Sequence, residues 1–208
     1  MAINQFLAAQ LRKPSGLFGS FVLGRLMNLG NRELILSTIA QLQLSSQHIV
    51  LEIGFGGGSG LKHLANRLTN GKAIGIDYSP EMVRSAQQKL RRQISEGHIE
   101  VQLGDISSLQ FHDGVFDRVF TVNTIYFWPD VPKGFSEIRR VLRHGGQAAV
   151  SLRSKEKMQR ASFTKDGFRL FSPKDVATLM QEAGFREVRI HHSNCSKLAD
   201  NVIVLGMN

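Results

Sequence analysis

The chain has 208 residues, 42% of them hydrophobic, with a formal net charge of +9. That is enough apolar material for one domain with a substantial core. A single cysteine, Cys195, excludes an intramolecular disulfide and gives no support to a Cys/His zinc cluster, and no stretch approaches the roughly 20 apolar residues of a membrane span.

In chain order, Met1 to Arg12 reads as a short helix carrying Ile3, Phe6, Leu7 and Leu11. It lacks the charged start and long apolar middle of a secretion signal, so a cytoplasmic protein is expected. From Lys13 to Gly30, Pro14, Gly16, Gly19, Gly24 and Gly30 interrupt apolar residues, a pattern too hydrophobic for a free linker. Residues 1–45 are therefore expected to form an N-terminal cap or lid over a domain spanning 46–208. Asn31 is placed to cap a helix carrying Leu34, Ile35, Ile39 and Leu42.

The most informative segment follows. Ile49-Val50-Leu51-Glu52-Ile53 is an apolar run interrupted by one acid, and it breaks into Gly54, Gly56, Gly57 and Gly58. Such a run suits a strand buried on both faces. Glycines directly after it permit positive φ and let a ligand approach the backbone. Leu61, Leu64, Ala65 and Leu68 then recur at helical spacing. Strand, glycine turn and helix make a nucleotide-type cofactor site at the carboxyl end of a parallel strand.

Alternation continues from there. Strands are expected near 48–53, 72–77, 99–103, 115–122, 146–152, 186–192 and 200–206, and helices near 59–69, 80–95, 131–143 and 173–183. Ser79-Pro80-Glu81 and Ser172-Pro173-Lys174-Asp175 are helix starts, and Gly145 and Gly184 are placed as helix stops. Strands alternating with helices imply an α/β fold with a mostly parallel sheet. His191 and His192 fall on an expected strand, where neighbours point to opposite faces, so no metal site is expected there. Basic residues are dispersed (Arg12, Lys13, Arg91, Arg92, Arg139, Arg140, Arg143 and the stretch from Arg153 to Lys174), which reads first as a solvated surface.

Two further acids stand at strand ends. Asp77 closes the second strand, 21 residues after Gly56, where a carboxylate reaches both ribose hydroxyls of an adenosine. Asp105 follows the third, in Gly104-Asp105-Ile106, where it is placed for an adenine amine with Ile106 against the ring. A cap for the following turn is the alternative role for Asp105. Position alone suits NAD as well as other adenosine cofactors, although Ser59 occupies the sixth place of G-x-G-x-x-G and no Tyr-x-x-x-Lys pair follows the fourth strand.

With these pieces in order, the chain resembles a class I S-adenosylmethionine-dependent methyltransferase of the methyltransferase-11 type, which includes quinone-biosynthetic enzymes. The matching segments are Val50 to Gly58, Gly75 to Met82, Gly104 to Ile106, Phe116 to Phe120 and Leu142 to Gly146, covering roughly residues 45 to 155. The resemblance implies a Rossmann-like seven-stranded, mostly parallel sheet with helices on both faces and an antiparallel last strand. It implies S-adenosyl-L-methionine as cofactor and methyl transfer at oxygen, nitrogen or carbon. By the same resemblance, cofactor contacts fall on Glu52, Gly54, Phe55, Gly56, Gly58, Asp77, Tyr78, Met82, Asp105, Ile106 and Asn123. Glu52 either meets the amino-acid end of the cofactor or supports the glycine loop. A non-catalytic S-adenosylmethionine-binding module is the alternative function, and an NAD(P)-dependent oxidoreductase a more distant one.

The acceptor side is expected after the fourth strand, in Val122-Asn123-Thr124-Ile125-Tyr126-Phe127-Trp128-Pro129-Asp130. Asn123 and Tyr126 are the candidate catalytic residues, with Tyr126 as acid/base or hydrogen-bond donor, and Tyr126 and Trp128 as walls. Packing of the aromatic run is the competing reading. Asn123-x-x-Tyr126 lacks the two prolines of the motif that amino methyltransferases use on nucleobases, so nucleic acid is disfavoured. The expected partner is a small-molecule acceptor, partly hydrophobic or aromatic, with peripheral membrane contact and oligomeric state left open. Ser154 to Phe171, with Met158, Phe163 and Phe168, is a second expected wall.

Overall fold

The computed structural model describes residues 24–160, 162–165, 168–193 and 201–208, with the backbone alone for 24–30 and 163. The expectations for Met1–Arg12, for most of Phe6–Leu29 and for Cys195 lie outside these residues. The elements are α1 (Gly24–Gln41), β1 (Ile49–Ile53), α2 (Ser59–Ala65), β2 (Lys72–Asp77), α3 (Pro80–Lys89), α4 (Arg91–Ser95) and β3 (Ile99–Leu103). They continue as β4 (Phe116–Val122), a 3-10 turn at Ile125–Phe127, α5 (Val131–Val141), β5 (Leu142–Arg153) and α6 (Lys155–Gln159). A second 3-10 turn (Ser162–Lys165), α7 (Pro173–Glu182), β6 (Arg186–Ser193) and β7 (Asn201–Met207) complete the set.

The strands form one seven-stranded sheet in the order β3-β2-β1-β4-β5-β7-β6. All neighbours run parallel except β7, which is antiparallel to both β5 and β6. The apolar strands alternate between two cores, and that is why their sequences need not alternate with polar residues. Leu51 and Ile53 face a layer holding Phe135, Ile138, Val176 and Met180. Val50 faces the opposite layer, with Leu34, Ile39, Leu61, Leu64 and Met82. The order reverses between β1 and β4, so the chain leaves these two strands toward opposite sides and opens a crevice at their carboxyl ends.

Local signals decide the helix ends. The Ser79 hydroxyl caps α3 by accepting from the Met82 N–H, with Pro80 at the first position. Ser172 and Asp175 exchange side-chain-to-backbone hydrogen bonds at the start of α7. That helix stops at Gly184 (φ 92°), where the Phe185 N–H reaches Met180 O and the Gly184 N–H reaches Gln181 O, each closing an orphan carbonyl.

Four expectations need correction. Asn31 does not cap a helix: α1 begins at Gly24 and carries Asn31 in its interior. The expected 80–95 helix is interrupted at Leu90, which leaves helical geometry (φ −105°, ψ 16°) and splits it into α3 and α4. The expected 59–69 helix ends at Ala65, where the Asn66 cap gives way to turns. Gly145 stops no helix: α5 ends at Val141, and Gly145 (φ 74°) serves a bulge in β5, whose pairing with β4 jumps from Phe116↔Leu142 to Arg118↔Gln147.

Two polar devices fix the frame around the crevice. Thr38, fully buried in α1, lies 2.6 Å from Ser151 of β5 and donates to its own Leu34 carbonyl at 2.6 Å, which seats α1 across the sheet. On the other face, Arg140 ties the β3–β4 connection to α5. Its guanidinium donates to Asp113 (2.7 Å), to the Phe111 and Leu109 carbonyls (2.8 and 2.9 Å) and to Glu137 (2.9 and 3.1 Å). Glu137 is buried and also accepts the Leu109 N–H at 2.9 Å. Those partners, with Arg140 foremost, hold its carboxyl below the usual range. Arg140→Ala should lower stability by about 2 kcal/mol, because a buried carboxylate and two carbonyls lose their donor. Arg140→Lys should recover only a small part, since an ammonium cannot fork to these acceptors. Urea midpoints equal to the parent for both variants would contradict this account.

Candidate active site

A cavity of about 280 Å³ lies over the carboxyl ends of β1, β2, β3 and β4. One half is lined by Glu52, Gly54, Phe55, Gly56, Gly57, Asp77, Tyr78, Met82, Asp105 and Ile106. The other half is lined by Asn31, Ile35, Val122, Asn123, Thr124, Phe127, Trp128 and Pro129. The first half brings together most of the residues expected at the cofactor; Gly58 and Tyr126 are not in the lining.

The glycine loop owes its shape to left-handed backbone and to crowding from behind. Gly54 (φ 70°) donates to Ile76 O at 2.8 Å, and a Cβ there would overlap the Thr124 methyl. Gly56 (φ 52°) has nothing within 4 Å of an added Cβ, so its restriction is conformational and the space beside it is open. Gly58 (φ 79°) precedes α2 and packs against Leu90, which explains its place outside the lining. Asp77 pins this loop to the next strand: its carboxyl accepts the Gly56 N–H at 2.8 Å and the Ser79 N–H at 2.9 Å. Burial pushes the Asp77 carboxyl above its ordinary pKa, against the pull of the Ser79, Gly56 and Tyr78 amides. Tyr78 is 56% exposed at the rim, whereas Met82 and Ile106 are buried in the cavity wall. Asp105 accepts the Ser107 N–H at 2.8 Å, so it shapes the following turn while lining the cavity.

Glu52 is the unusual group. It is 3% exposed, and its Oε2 has no hydrogen-bond partner among the described residues. It occupies the space left by Gly60, where any Cβ would overlap the carboxylate. Desolvation raises its pKa to about 8, opposed by the Leu61 N–H and reinforced by the charge of Asp77. An unpartnered buried carboxyl in a cavity wall suits a cationic ligand, and S-adenosylmethionine carries both a sulfonium and an ammonium. The residues present fit that cofactor.

The second half is built on a strained hinge. Asn123 has φ 57°, a left-handed geometry that asparagine tolerates better than most residues. Its N–H donates to Ser151 O at 2.8 Å, and its side-chain nitrogen donates to Asn31 Oδ1 at 2.9 Å. Trp128 donates its indole N–H to Thr124 at 3.0 Å and packs edge-on against Phe135, with ring centres 5.4 Å apart. Tyr126 lies behind this wall and is 3% exposed. Its hydroxyl accepts the Arg153 N–H at 2.7 Å and lies 3.1 Å from Arg153 O and 3.3 Å from Asn123 Oδ1. Burial drives its pKa well above the ordinary tyrosine value. None of the described residues of the 154–171 segment lines the cavity; Phe168 instead packs on Phe127 (4.6 Å) and Tyr126 (6.0 Å) from behind. Asn31 and Ile35 are lining residues the sequence did not reveal. Their i, i+4 spacing, continued to buried Thr38, was the available signal for a helix face laid over the crevice.

Comparison with known proteins agrees with this geometry. The family model described as Methyltransferase domain (Methyltransf_11) matches residues 51–150. A methyltransferase of Bacillus subtilis, the uncharacterized YdaC, is 28% identical over 83% of this chain and 91% of its own length. The demethylmenaquinone methyltransferase of Lactiplantibacillus plantarum is 27% identical over 88% of this chain and 92% of its own. The fold matches the crystal structure of a SAM-dependent methyltransferase from Aquifex aeolicus with a TM-score of 0.74, at 22% identity over 88% of this chain and 95% of that one. Residues 51–150 carry a class I S-adenosylmethionine-dependent methyltransferase domain of the methyltransferase-11 type, whose cofactor is S-adenosylmethionine.

The raised pKa of Glu52 has a consequence for stability. Below about pH 4.5 the group is neutral whether folded or not, and above about pH 8 it is ionised in both states. Between these limits the folded cofactor-free protein holds a proton the unfolded chain has released, so this group makes stability fall as pH rises. The slope from one such group is at most about 1.4 kcal/mol per pH unit. Glu52→Gln removes it, so the variant's melting temperature relative to the parent should climb steadily from pH 5 to pH 8. Parallel curves for the two proteins would show that Glu52 titrates normally.

Proposed function

We propose that this methyltransferase acts on a small, partly hydrophobic or aromatic molecule that sits in the Asn31–Asn123–Trp128 half of the cavity. What supports the reading is the make-up of the lining: three acids, Glu52, Asp77 and Asp105, stand at the ends of β1, β2 and β3, and apolar Ile35, Val122, Phe127, Trp128 and Pro129 complete the wall. The relative named for demethylmenaquinone points the same way. In this reading Asp77 takes the ribose hydroxyls, Asp105 and Ile106 the adenine, and the Gly54–Gly58 loop the ribose and methionine portion. Glu52 faces the positive charge of the amino-acid end, and the residue span 46–208 acts as the catalytic domain with 1–45 as its cover.

The bound cofactor supplies an electrophilic methyl group on a good leaving group. What remains for the protein is alignment of the acceptor and exclusion of water. Phe127, Trp128 and Pro129 do the second by presenting an apolar wall. Asn123 does the first, held by Arg153, Asn31 and the Tyr126 hydroxyl. In this proposal Tyr126 is a positioning residue, because its hydroxyl is engaged with the Arg153 backbone behind the wall.

Two measurements test this reading. Asp77→Ala should weaken S-adenosylmethionine binding by about 2 kcal/mol or more, roughly thirtyfold, since ribose hydroxyls lose a charged partner and Gly56 loses its anchor. Unchanged calorimetric affinity would remove Asp77 from the cofactor site. Tyr126→Phe should lower turnover only a fewfold and leave the pH profile in place. A loss of a hundredfold or more together with a missing limb of that profile would mark Tyr126 as a proton-transfer group. Turnover of S-adenosylmethionine with a panel of quinols, phenols and amines, against a protein or RNA panel, decides the acceptor class.

A further inference from the structure

Asn31 lines the cavity with hydrogen-bonding capacity that the described residues do not use. The Arg153 backbone N–H can only donate, and it meets Asn123 Oδ1 at 3.2 Å as well as the Tyr126 hydroxyl at 2.7 Å. That contact determines which end of the Asn123 amide is oxygen. The other end is an NH2 group, and it meets Asn31 at 2.9 Å, so the atom of Asn31 facing it is Oδ1. Asn31 Nδ2 is left over, with two N–H donors that have no partner among the described residues.

The surroundings say what those donors meet. Ile35, one turn further along α1, lines the same cavity, as do Val122, Phe127, Trp128 and Pro129. The titratable lining residues among those described, Glu52, Asp77, Tyr78 and Asp105, stand at the ends of β1, β2 and β3, whereas Asn31 pairs with Asn123 just beyond β4. A donor in an apolar surround selects a hydrogen-bond-accepting oxygen on an otherwise apolar frame.

We propose that Asn31 Nδ2 recognises the acceptor by donating to an oxygen, a carbonyl or an ionised hydroxyl, carried on the aromatic or conjugated frame that packs against Phe127 and Trp128. This rests on the reading of that half as the acceptor site. It narrows the acceptor to the hydroxyarene and quinol class over cationic amines, because an ammonium group would bring its own N–H donors against those of Asn31. Donation from Asn31 also favours the ionised form of a bound hydroxyl. Asn31 is held for this role from two directions: Asn123 fixes its oxygen, and Thr38, seven residues on, fixes the helix against Ser151.

The test uses the full chain saturated with S-adenosylhomocysteine and two probes, 1-naphthol and naphthalene, which share a frame and differ by one oxygen. Equilibrium dialysis should show the parent binding 1-naphthol about tenfold more tightly than naphthalene. Asn31→Leu should abolish that preference, with the affinity for naphthalene and for S-adenosylhomocysteine unchanged within about twofold. Asn31→Ala should lose the preference as well, and it carries the same comparison if the leucine variant fails to bind S-adenosylhomocysteine. Retention of the parent's preference in these variants overturns the role of Asn31 while leaving the acceptor site standing. Failure of both probes to bind the parent overturns the aromatic-acceptor reading and this inference with it.

Discussion

A carboxyl group buried at the end of a central strand is the constraint on which the rest of the site depends. Glu52 sits on β1 among apolar neighbours, 3% exposed and with one oxygen unpartnered among the described residues. A carboxyl in that position needs space, and without a compensating partner it keeps its proton to about pH 8. Gly60 provides the space, since any side chain there would overlap the carboxylate. The glycines between them turn the chain back sharply enough for α2 to start beside the acid. In the proposed site the cationic cofactor is that partner, so the group that makes the cofactor-free protein less stable as pH rises is the one that suits it to S-adenosylmethionine.

The remaining acids are less exposed to this conflict because backbone amides satisfy them. Asp77 accepts from Gly56 and Ser79, and Asp105 from Ser107. Each therefore has a structural task as well as its place in the cavity. Asp77 transmits the position of β2 to the glycine loop, and Asp105 shapes the turn after β3. The β3–β4 connection is then clamped to α5 by Arg140, so the wall that includes Ile106 is anchored on the sheet's far face. Cofactor recognition and loop geometry are thus coupled through the same few side chains.

The opposite wall depends on a different kind of contact. α1 comes earlier in the chain than every strand, yet it closes the cavity over β4 and β5. Thr38 and Ser151 join across 113 residues of sequence, and Asn31 and Asn123 across 92. These are contacts between short polar side chains, and each needs the two elements to be already seated. Left-handed Asn123 is held in place by backbone bonds to β5 and by the hydroxyl of Tyr126, which explains why an aromatic residue one turn away is polar at its tip but absent from the cavity.

Periodicity and glycine placement in the sequence determined the strand positions, the parallel α/β class and the glycine loop and strand-end acids that line the cavity, because those features are local. An apolar run that must be buried on both faces, a turn that requires positive φ and an acid at a strand end can each be read within a dozen residues. Ser79, Ser172 and Gly184 were legible for the same reason: a cap is satisfied by its own neighbours. Tertiary structure alone decided which aromatic residues face the cavity and which support it from behind, since Tyr126 and Trp128 stand two residues apart in a turn whose orientation is set by β5, α5 and Phe168. It also decided the role of Asn31, whose residue type reads locally as a helix cap. Its actual partner, Asn123, lies just beyond β4, and hydrogen bonds between distant side chains leave no periodic trace in the chain that forms them.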